Sequence, residues 1–281
     1  MSEPAVVVDG LVMRYGETTA VDGLSLTVAR GSVTAVLGPN GAGKTTTLET
    51  CEGYRRPQQG TVRVLGLDPV RDRRDLLPRI GVMLQGGGAW SGVRAMEMLD
   101  HVSRLHAHPL DTGMLSDRLG LADCGRTPYR RLSGGQQQRL GLAMALVGRP
   151  EIVFVDEPTA GMDPQARRTT WELLEELRGD GVTVVLTTHY MDEAERLADQ
   201  IHIIDRGRLI ASGTPEELTR GTSATVRLVV DQELPSEAEA ALRASVDQWS
   251  GEHGVGVRSI SFGSRTLEDV FLELTGRGLE S

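Results

Sequence analysis

A glycine-rich segment near the start of the chain has the residues and spacing of a phosphate-binding loop. It follows the pattern G-x-x-x-x-G-K-[ST] and consists of Gly38, Pro39, Asn40, Gly41, Ala42, Gly43, Lys44 and Thr45. Backbone N–H groups of such a loop and the N-terminus of the following helix attract phosphate. Lys44, the only lysine in the sequence, would reach the β- and γ-phosphates, and the Thr45 hydroxyl would ligate Mg²⁺. A chance match among 34 glycines is the alternative, and the apolar strand before the loop and the helix after it argue against chance.

An acidic pair ends an apolar run in the middle of the chain. Residues 152–155 are Ile-Val-Phe-Val, and Asp156 and Glu157 follow them directly. Asp156 is suited to hold Mg²⁺ through its water shell. Glu157 is placed to polarise an attacking water as a general base. The alternative is an ordinary strand end, but a phosphate loop makes the functional interpretation the stronger one.

A second candidate anion site opens a helix. It consists of Ser133, Gly134, Gly135 and Gln136, a serine-capped and glycine-rich helix start. The apolar face that continues from it contains Leu140, Ala143, Leu146 and Val147. A simple helix cap is the alternative, and Ser-Gly-Gly alone would indicate no more than that.

The order of these segments resembles that of the ABC ATPase family. The resemblance covers roughly residues 5–220: residues 38–46, which include Thr46, match the Walker A loop, residues 133–136 lie in the signature motif, and residues 156–157 match Walker B with its catalytic glutamate. Tyr15 is similar to the aromatic residue that stacks on adenine, although a strand-end packing residue is the alternative. Gln85 matches the Q-loop glutamine and His189 the switch histidine. Residues 160–163 match the D-loop, with methionine where leucine is commoner.

The resemblance implies a P-loop NTPase that uses ATP and Mg²⁺. It implies three catalytic residues, namely Glu157, His189 and Gln85. It implies three metal ligands, namely Thr45, Gln85 and Asp156. The implied nucleotide contacts are Tyr15, the loop from Gly38 to Thr46, the four signature residues from Ser133 to Gln136, and Asp163.

The resemblance also implies an assembly. In this family the signature helix of one copy faces the γ-phosphate held by the Walker A loop of another copy, so two ATP molecules lie between two domains. This chain has one loop and one signature. We therefore expect it to dimerise, with itself or with a related chain, and we expect ATP to close that dimer and hydrolysis to reopen it.

The elements that must position these residues form an α/β pattern. Residues 33–37 predict a strand buried on both faces, and further apolar strands are expected at residues 80–84, 152–155, 182–187 and 201–205. Helices are expected at residues 44–52 and 166–177. Alternation of this kind predicts a mostly parallel core sheet covered on both faces. Short strands at residues 6–8, 11–15 and 24–28 predict an N-terminal antiparallel β subdomain.

The predicted domain organisation has two parts. Residues 1–221 would form the nucleotide-binding domain, with a helical subdomain at about residues 86–148 that lacks strands. Residues 222–281 would form a small α+β accessory domain, with a capping box from Ser236 and a last helix capped by Thr266. The stretches at residues 130–148 and 266–276 are similar to a subfamily of daunorubicin-resistance exporters.

Composition narrows the possible partners. The net charge of −9 and pI of about 5.3 argue against a large nucleic-acid surface. Apolar runs such as residues 182–186 fall far short of the roughly 20 residues that span a membrane. The N-terminus has no signal-peptide pattern. We expect a cytoplasmic protein, bound to the cytoplasmic face of the cell membrane through a partner.

The predicted function is that of an ABC transporter ATPase subunit, which powers export of a drug-like or antibiotic-like molecule through a separate transmembrane permease. The segment at residues 85–98, with Trp90 among glycines, would couple ATP to the permease, although a mobile loop is the alternative. A soluble ABC ATPase acting on ribosomes or nucleic acid is the second candidate. The single cassette, the lack of long coiled coils and the acidic charge disfavour it.

Overall fold

The computed structural model describes residues 3–83, 90–219 and 236–253. Residues 3–83 and 90–219 form two β-sheets with helices packed on them. None of the helices in these ranges combines the length and the apolarity needed to cross a bilayer.

The strands follow the chain from its N-terminal part to Gly213. They are β1 (Val6–Tyr15), β2 (Thr18–Val28), β3 (Val33–Leu37), β4 (Gln59–Val64), β5 (Ile80–Met83), β6 (Ile152–Asp156), β7 (Thr183–Thr188), β8 (Gln200–Asp205) and β9 (Arg208–Gly213). The helices are α1 (Lys44–Cys51), α2 (Arg73–Leu76), α3 (Ala95–Ser103), α4 (Thr112–Arg118), α5 (Gly134–Leu146), α6 (Pro164–Gly179), α7 (Met191–Leu197), α8 (Pro215–Thr219) and α9 (Ser236–His253).

The larger sheet has six strands in the order β5-β6-β7-β3-β8-β9. The first five of these are parallel, and β9 runs antiparallel to β8 at one edge. Alternate side chains of β6 enter two different cores: Val153 and Val155 pack on one face, and Ile152 and Phe154 on the other. Both faces are covered, which is why the apolar runs are continuous. The predicted mostly parallel α/β fold is confirmed.

The smaller sheet is antiparallel, with the order β2-β1-β4. Its core includes Leu48 of α1 and Phe154 of β6, so it packs with α1 over one face of the larger sheet. The two short strands predicted at residues 6–8 and 11–15 are in fact one strand, β1. A register shift between Val8 and Leu11, where Gly10 has φ +59°, lets the strand continue.

The opposite face of the larger sheet is covered by α6 and α7 and by the helices that lie between residues 95 and 146. Leu99 of α3, Leu115 of α4 and Leu140 of α5 all belong to that core, and α5 packs directly on β5. Two 3₁₀ turns, Ala122–Cys124 and Tyr129–Arg131, join α4 to α5. In the described part of this stretch, strand pairing is confined to an isolated bridge between Arg94 and Pro128.

Two strands, β4 and β9, are not predicted from the sequence. In β4 only Val62 and Val64 are buried, and in β9 only Gly213 is buried. Both strands end their sheets as these are described. An edge strand is not buried on both faces, so it shows no continuous apolar run.

Of the predicted accessory domain the structure describes α9. This helix begins at Ser236, the residue predicted to cap it, and its Trp249 is 50% exposed. The strands expected near residues 226–230 and 255–262, and the helix expected from Thr266, lie outside the described residues. The division at residue 221 therefore stays a prediction.

Candidate active site

The glycine-rich loop connects β3 to α1, and two close approaches fix its path. Gly43 has φ +99°, and a Cβ there would lie 2.4 Å from the carbonyl oxygen of Ala20. A Cβ at Gly38 would lie 2.3 Å from the carbonyl oxygen of Ile204. Only glycine fits either position without a shift of the backbone. The loop is thus held between β2 on one side and β8 on the other.

Lys44 begins α1 and is almost fully buried, with 5% of its surface exposed. Its Nζ donates to the carbonyl oxygens of Gly38 at 2.7 Å and Pro39 at 3.2 Å. Burial lowers the pKa of Lys44, and the carboxylates of Glu157 and Asp156 act in the opposite direction. The loop therefore holds its own cation at the place where a bound phosphate would need one.

Asp156 is the last residue of β6 and receives two hydroxyl groups. Thr45 Oγ1 donates to its Oδ2 at 2.9 Å, and Thr187 Oγ1 at the end of β7 donates to its Oδ1. The carboxylate and the Thr45 hydroxyl, which lie 111 residues apart in the sequence, thus meet at one point. Paired oxygen donors of this kind suit Mg²⁺.

Glu157 and His189 form a contact beside this point. His189 Nδ1 lies 3.1 Å from Glu157 Oε1. The backbone of Glu157 is left-handed, with φ +50°, and its N–H donates to the Thr187 carbonyl oxygen at 3.1 Å. A non-glycine residue in this region of backbone space costs free energy, and strained residues of this kind cluster at functional sites. Glu157 thus combines a left-handed backbone with a side-chain contact to His189.

A cleft of about 430 Å³ opens over the loop. It is lined by Tyr15, Thr18, Thr19, Ala20, Pro39, Asn40, Gly41, Ala42, Gly43, Lys44, Thr45, Thr46 and Glu157. Tyr15 is 41% exposed, and the Arg55 guanidinium lies 5.1 Å from the centre of its ring. The structure therefore brings the predicted aromatic residue, the phosphate loop and the predicted base to one cavity.

The signature segment is not part of this cleft. Ser133 caps α5 by a reciprocal pair of bonds: its Oγ accepts from the Gln136 N–H at 3.3 Å, and Gln136 Oε1 accepts from the Ser133 N–H at 2.9 Å. A Cβ on Gly134 would meet nothing within 4 Å, and one on Gly135 would lie 3.5 Å from Met162 Cγ. The helix start is well formed, and its glycine face is open beside Gly134.

Asp163 has a local role that the sequence pattern does not specify. It caps α6, and its Oδ1 accepts from the N–H groups of Ala166 at 2.9 Å and Gln165 at 3.0 Å. The pKa of Asp163 lies below its ordinary value, and the largest cause is the hydrogen bond from the Ala166 backbone N–H. Asp163 also lies outside the residues that line the cleft.

One predicted site residue, Gln85, lies outside the described residues. One useful residue, Thr187, is missing from the sequence prediction: its hydroxyl holds Asp156, and its carbonyl oxygen holds the backbone of Glu157. Its place at the end of an apolar strand beside β6 is the signal that could have found it, because the carboxyl ends of parallel strands share one edge.

The sequence profile described as ABC transporter matches residues 21–160. The chain is 37% identical to the daunorubicin resistance ATP-binding protein DrrA3 of Streptomyces coeruleorubidus, over 98% of this chain and 97% of that protein. It is 38% identical to the Nod factor export ATP-binding protein I of Ralstonia nicotianae, over 98% of this chain and 95% of that protein.

The fold is similar to a solved dimeric structure, that of the bacterial ABC transporter cassette MJ0796. The TM-score is 0.67 at 24% identity, over 74% of this chain and 98% of that one. This similarity agrees with the two-sheet architecture described above.

Proposed function

The chain belongs to the ABC transporter family as an ATP-binding and ATP-hydrolysing subunit, and from this premise we propose that it powers export through a separate membrane permease. The predicted resemblance to daunorubicin-resistance exporters is confirmed by relatives that align over nearly the whole chain. Two named relatives, from different organisms, carry drug-resistance and export names. Neither of these two names supports the alternative of an ATPase that acts on ribosomes or nucleic acid.

The observation that carries the proposed chemistry is the meeting of two hydrogen-bonded pairs at one edge of the larger sheet. Thr45 meets Asp156 at 2.9 Å, and His189 meets Glu157 at 3.1 Å. In our proposal the first pair holds the metal and the second pair handles the attacking water and the γ-phosphate.

ATP would bind along the cleft above the loop. Residues 38–46 would surround the phosphates with backbone N–H groups, and the cation of Lys44 would turn from the carbonyl oxygens of its own loop to the β- and γ-phosphates. Adenine would stack on Tyr15, whose other face the Arg55 guanidinium covers. The lining of the cleft, which includes Tyr15, residues 39–46 and Glu157, supports this placement.

Mg²⁺ fits the oxygen donors at this edge. Thr45 and Asp156 would hold it together with phosphate oxygens and water, and Gln85 is the further ligand that the family implies. The described residues contain no cluster of three or more His, Cys, Asp or Glu that could hold a metal by itself. The ion, when bound, would neutralise charge on the transferred phosphoryl group.

Hydrolysis would use Glu157 as the base. Its carboxylate would accept a proton from the attacking water. With a proton on each ring nitrogen, His189 would donate from Nδ1 to Glu157 Oε1 across the 3.1 Å contact and from Nε2 to a γ-phosphate oxygen.

The open signature supports a two-chain site. Residues 133–136 are outside the cleft of their own chain, and Gly134 has open space around it. We propose that these residues and Asp163 contact ATP held by a second copy, in a homodimer or with a related chain. The dimer would bind the permease at the cytoplasmic face of the membrane, with the Trp90 region as the coupling contact.

The test has a chemical arm and a partner arm. Glu157→Gln should lower kcat for Mg-ATP hydrolysis by at least about 100-fold, because it removes the base, and should keep ATP binding. Glu172→Gln, an exposed residue of α6, is the matched control. Hydrolysis by Glu157→Gln at the wild-type rate would contradict the assignment.

The partner arm is affinity purification of the full chain from detergent-solubilised native membranes. A stoichiometric polytopic membrane protein is the expected partner, and its identity would indicate the cargo class. Ribosomal proteins or DNA in its place would favour the alternative function.

A further inference from the structure

A buried carboxyl group lies behind the Glu157–His189 contact and has no part in the chemistry described so far. Glu193 is in the first turn of α7, and none of its surface is exposed. Burial raises the pKa of Glu193, and hydrogen bonds from Thr188, Trp171 and Thr159 act in the opposite direction. Because an isolated carboxyl group is costly to bury, the presence of Glu193 at this buried position needs an explanation.

The contacts of Glu193 connect three segments of the site. Its Oε1 accepts from Thr159 Oγ1 at 2.9 Å and from Trp171 Nε1 at 3.0 Å. Thr159 is two residues after Glu157, and Glu193 is four residues after His189. The bond between Thr159 and Glu193 therefore joins the segments that carry the two proposed catalytic residues.

The third segment is α6. Trp171 lies two turns into this helix, and the helix is capped by Asp163 at its N-terminus. A second contact joins α6 to the residue before α7: the Arg167 guanidinium lies 4.7 Å from the ring centre of Tyr190, and that ring lies 4.1 Å from the His189 ring. The buried carboxyl group and the stacked Tyr190 thus connect α7 and the residue before it to α6 at two places.

Stability alone does not account for this carboxyl group. The other oxygen, Oε2, is buried without a partner of hydrogen-bond geometry, although the Thr188 side chain is close to the group. An apolar side chain of similar volume would avoid the cost of burying a carboxyl group, but it would leave the Thr159 hydroxyl and the Trp171 N–H without their acceptor. The carboxyl group fixes the relative positions of three segments. A single oxygen accepts hydrogen bonds from Thr159 and Trp171, so both donors must approach Glu193 at the same point.

We propose that Glu193 is a positioning residue of the hydrolytic site, which holds the Glu157 segment and the His189 segment at a fixed separation through Thr159 and Trp171. The inference rests on the proposed roles of Glu157 and His189. Displacement of a catalytic group by about 1 Å can lower a rate 100-fold, so loss of this connection acts on kcat. It leaves ATP binding intact, because none of the three residues lines the cleft.

The experiment compares kcat, the ATP dissociation constant and the fraction of ATP-binding chains for full-length variants. Glu193→Ala is expected to lower kcat at least about tenfold, with the dissociation constant within about twofold of wild type. Glu193→Gln retains an oxygen acceptor of the same geometry and should restore most of the rate. Glu195→Ala, an exposed residue of the same helix, is the matched control.

Two outcomes overturn the inference. One is a wild-type kcat in Glu193→Ala. The other is a loss of rate that only follows the loss of folded, ATP-binding chains, as a purely structural role would give. If Glu193→Ala does not fold, Thr159→Val and Trp171→Phe decide, because each removes one donor: a lowered kcat with unchanged ATP binding supports the inference, and a wild-type kcat in both overturns it.

Glu157→Gln separates this inference from the proposed function. If Glu157→Gln is inactive and Glu193→Ala is fully active, only the positioning role is wrong. If the wild-type chain does not hydrolyse Mg-ATP, or if Glu157→Gln matches it, the proposed function fails and the positioning role fails with it.

Discussion

At the scale of single residues, the site is built from short polar side chains at the ends of apolar strands. Asp156 is the last residue of β6. Thr187 is the next-to-last residue of β7, and its hydroxyl donates to the Asp156 carboxylate. Threonine hydroxyls donate and accept at short range. They therefore orient the carboxylate without adding charge, and the acidic groups stay available for a cation and a water molecule.

Tyr15 gives a prediction at this scale. Replacing it with leucine removes the aromatic face proposed for adenine, and stacking of this kind contributes about 1 kcal/mol. The ATP dissociation constant of Tyr15→Leu should therefore rise about fivefold. Tyr15→Phe keeps the ring and is the control. Titration calorimetry would measure both variants, and equal affinities for the leucine and phenylalanine variants would rule out stacking at Tyr15.

At the scale of elements, function depends on where strands, loop and helix approach one another. The loop between β3 and α1 is held against the carbonyl oxygens of Ala20 and Ile204. His202 of β8 connects strands of both sheets, because Nε2 contacts the Thr27 carbonyl oxygen at 3.0 Å and Nδ1 contacts Ser212 Oγ at 2.9 Å. These contacts keep the smaller sheet in place beside the nucleotide cleft.

The loop can be tested with two glycines. Gly41 and Gly43 both have positive φ, so alanine at either position costs about 1–2 kcal/mol from the backbone alone. At Gly43 the new Cβ also clashes with the Ala20 carbonyl oxygen, whereas at Gly41 it meets open space. Gly43→Ala should therefore lower the free energy of unfolding more than Gly41→Ala does. Urea denaturation without nucleotide measures both, and equal losses would show that the close approach is unimportant.

His202 predicts a pH dependence of stability. Burial lowers its pKa, and the contact with Thr27 only partly opposes that effect. The unfolded chain therefore takes up a proton more readily than the folded chain does. The stability contributed by neutral His202 is present above the ordinary pKa of 6.5 and is lost as the pH falls below it toward the lowered folded value.

The matched variant for this effect is His202→Gln, which retains a donor for Thr27. Its free energy of unfolding should fall less steeply than that of the wild type between pH 7 and pH 5. Equal slopes in urea denaturation at several pH values would show that His202 does not titrate with unfolding.

At the scale of the whole molecule, the cleft over the phosphate loop and the signature segment at residues 133–136 do not meet within the part of the chain that the structure describes. The cleft lies over the loop before α1, and the signature segment begins α5, a helix that packs on β5. Two copies in opposite orientation would satisfy both. The accessory domain from residue 222 stays a prediction in this picture.

Dimerisation in ATP is the prediction at this scale. Glu157→Gln retains ATP and should run as a dimer in Mg-ATP and as a monomer in ADP, by size-exclusion chromatography with light scattering. Adding Ser133→Arg should abolish the dimer, because the bulky side chain blocks the open glycine face, and should leave ATP binding by the monomer unchanged. A weaker monomer affinity would show that Ser133 acts within its own chain.

The sequence alone determined the features that depend on local pattern. The strand–loop–helix around Lys44, the Asp156–Glu157 pair after an apolar strand, and the Ser133 helix cap are each contained within about ten residues, so their spacing specifies them. The class of fold follows from the alternation of apolar strands and helices.

The tertiary structure decided which distant side chains meet. Thr159 and Glu193 are 34 residues apart, and Trp171 and Glu193 are 22 apart. In the sequence Glu193 is one of several acidic residues at the start of a polar helix, and nothing local marks it as buried. Its burial depends on how α6 and α7 pack on the sheet. Packing sums many weak contacts over the whole core, and for that reason no short segment encodes it.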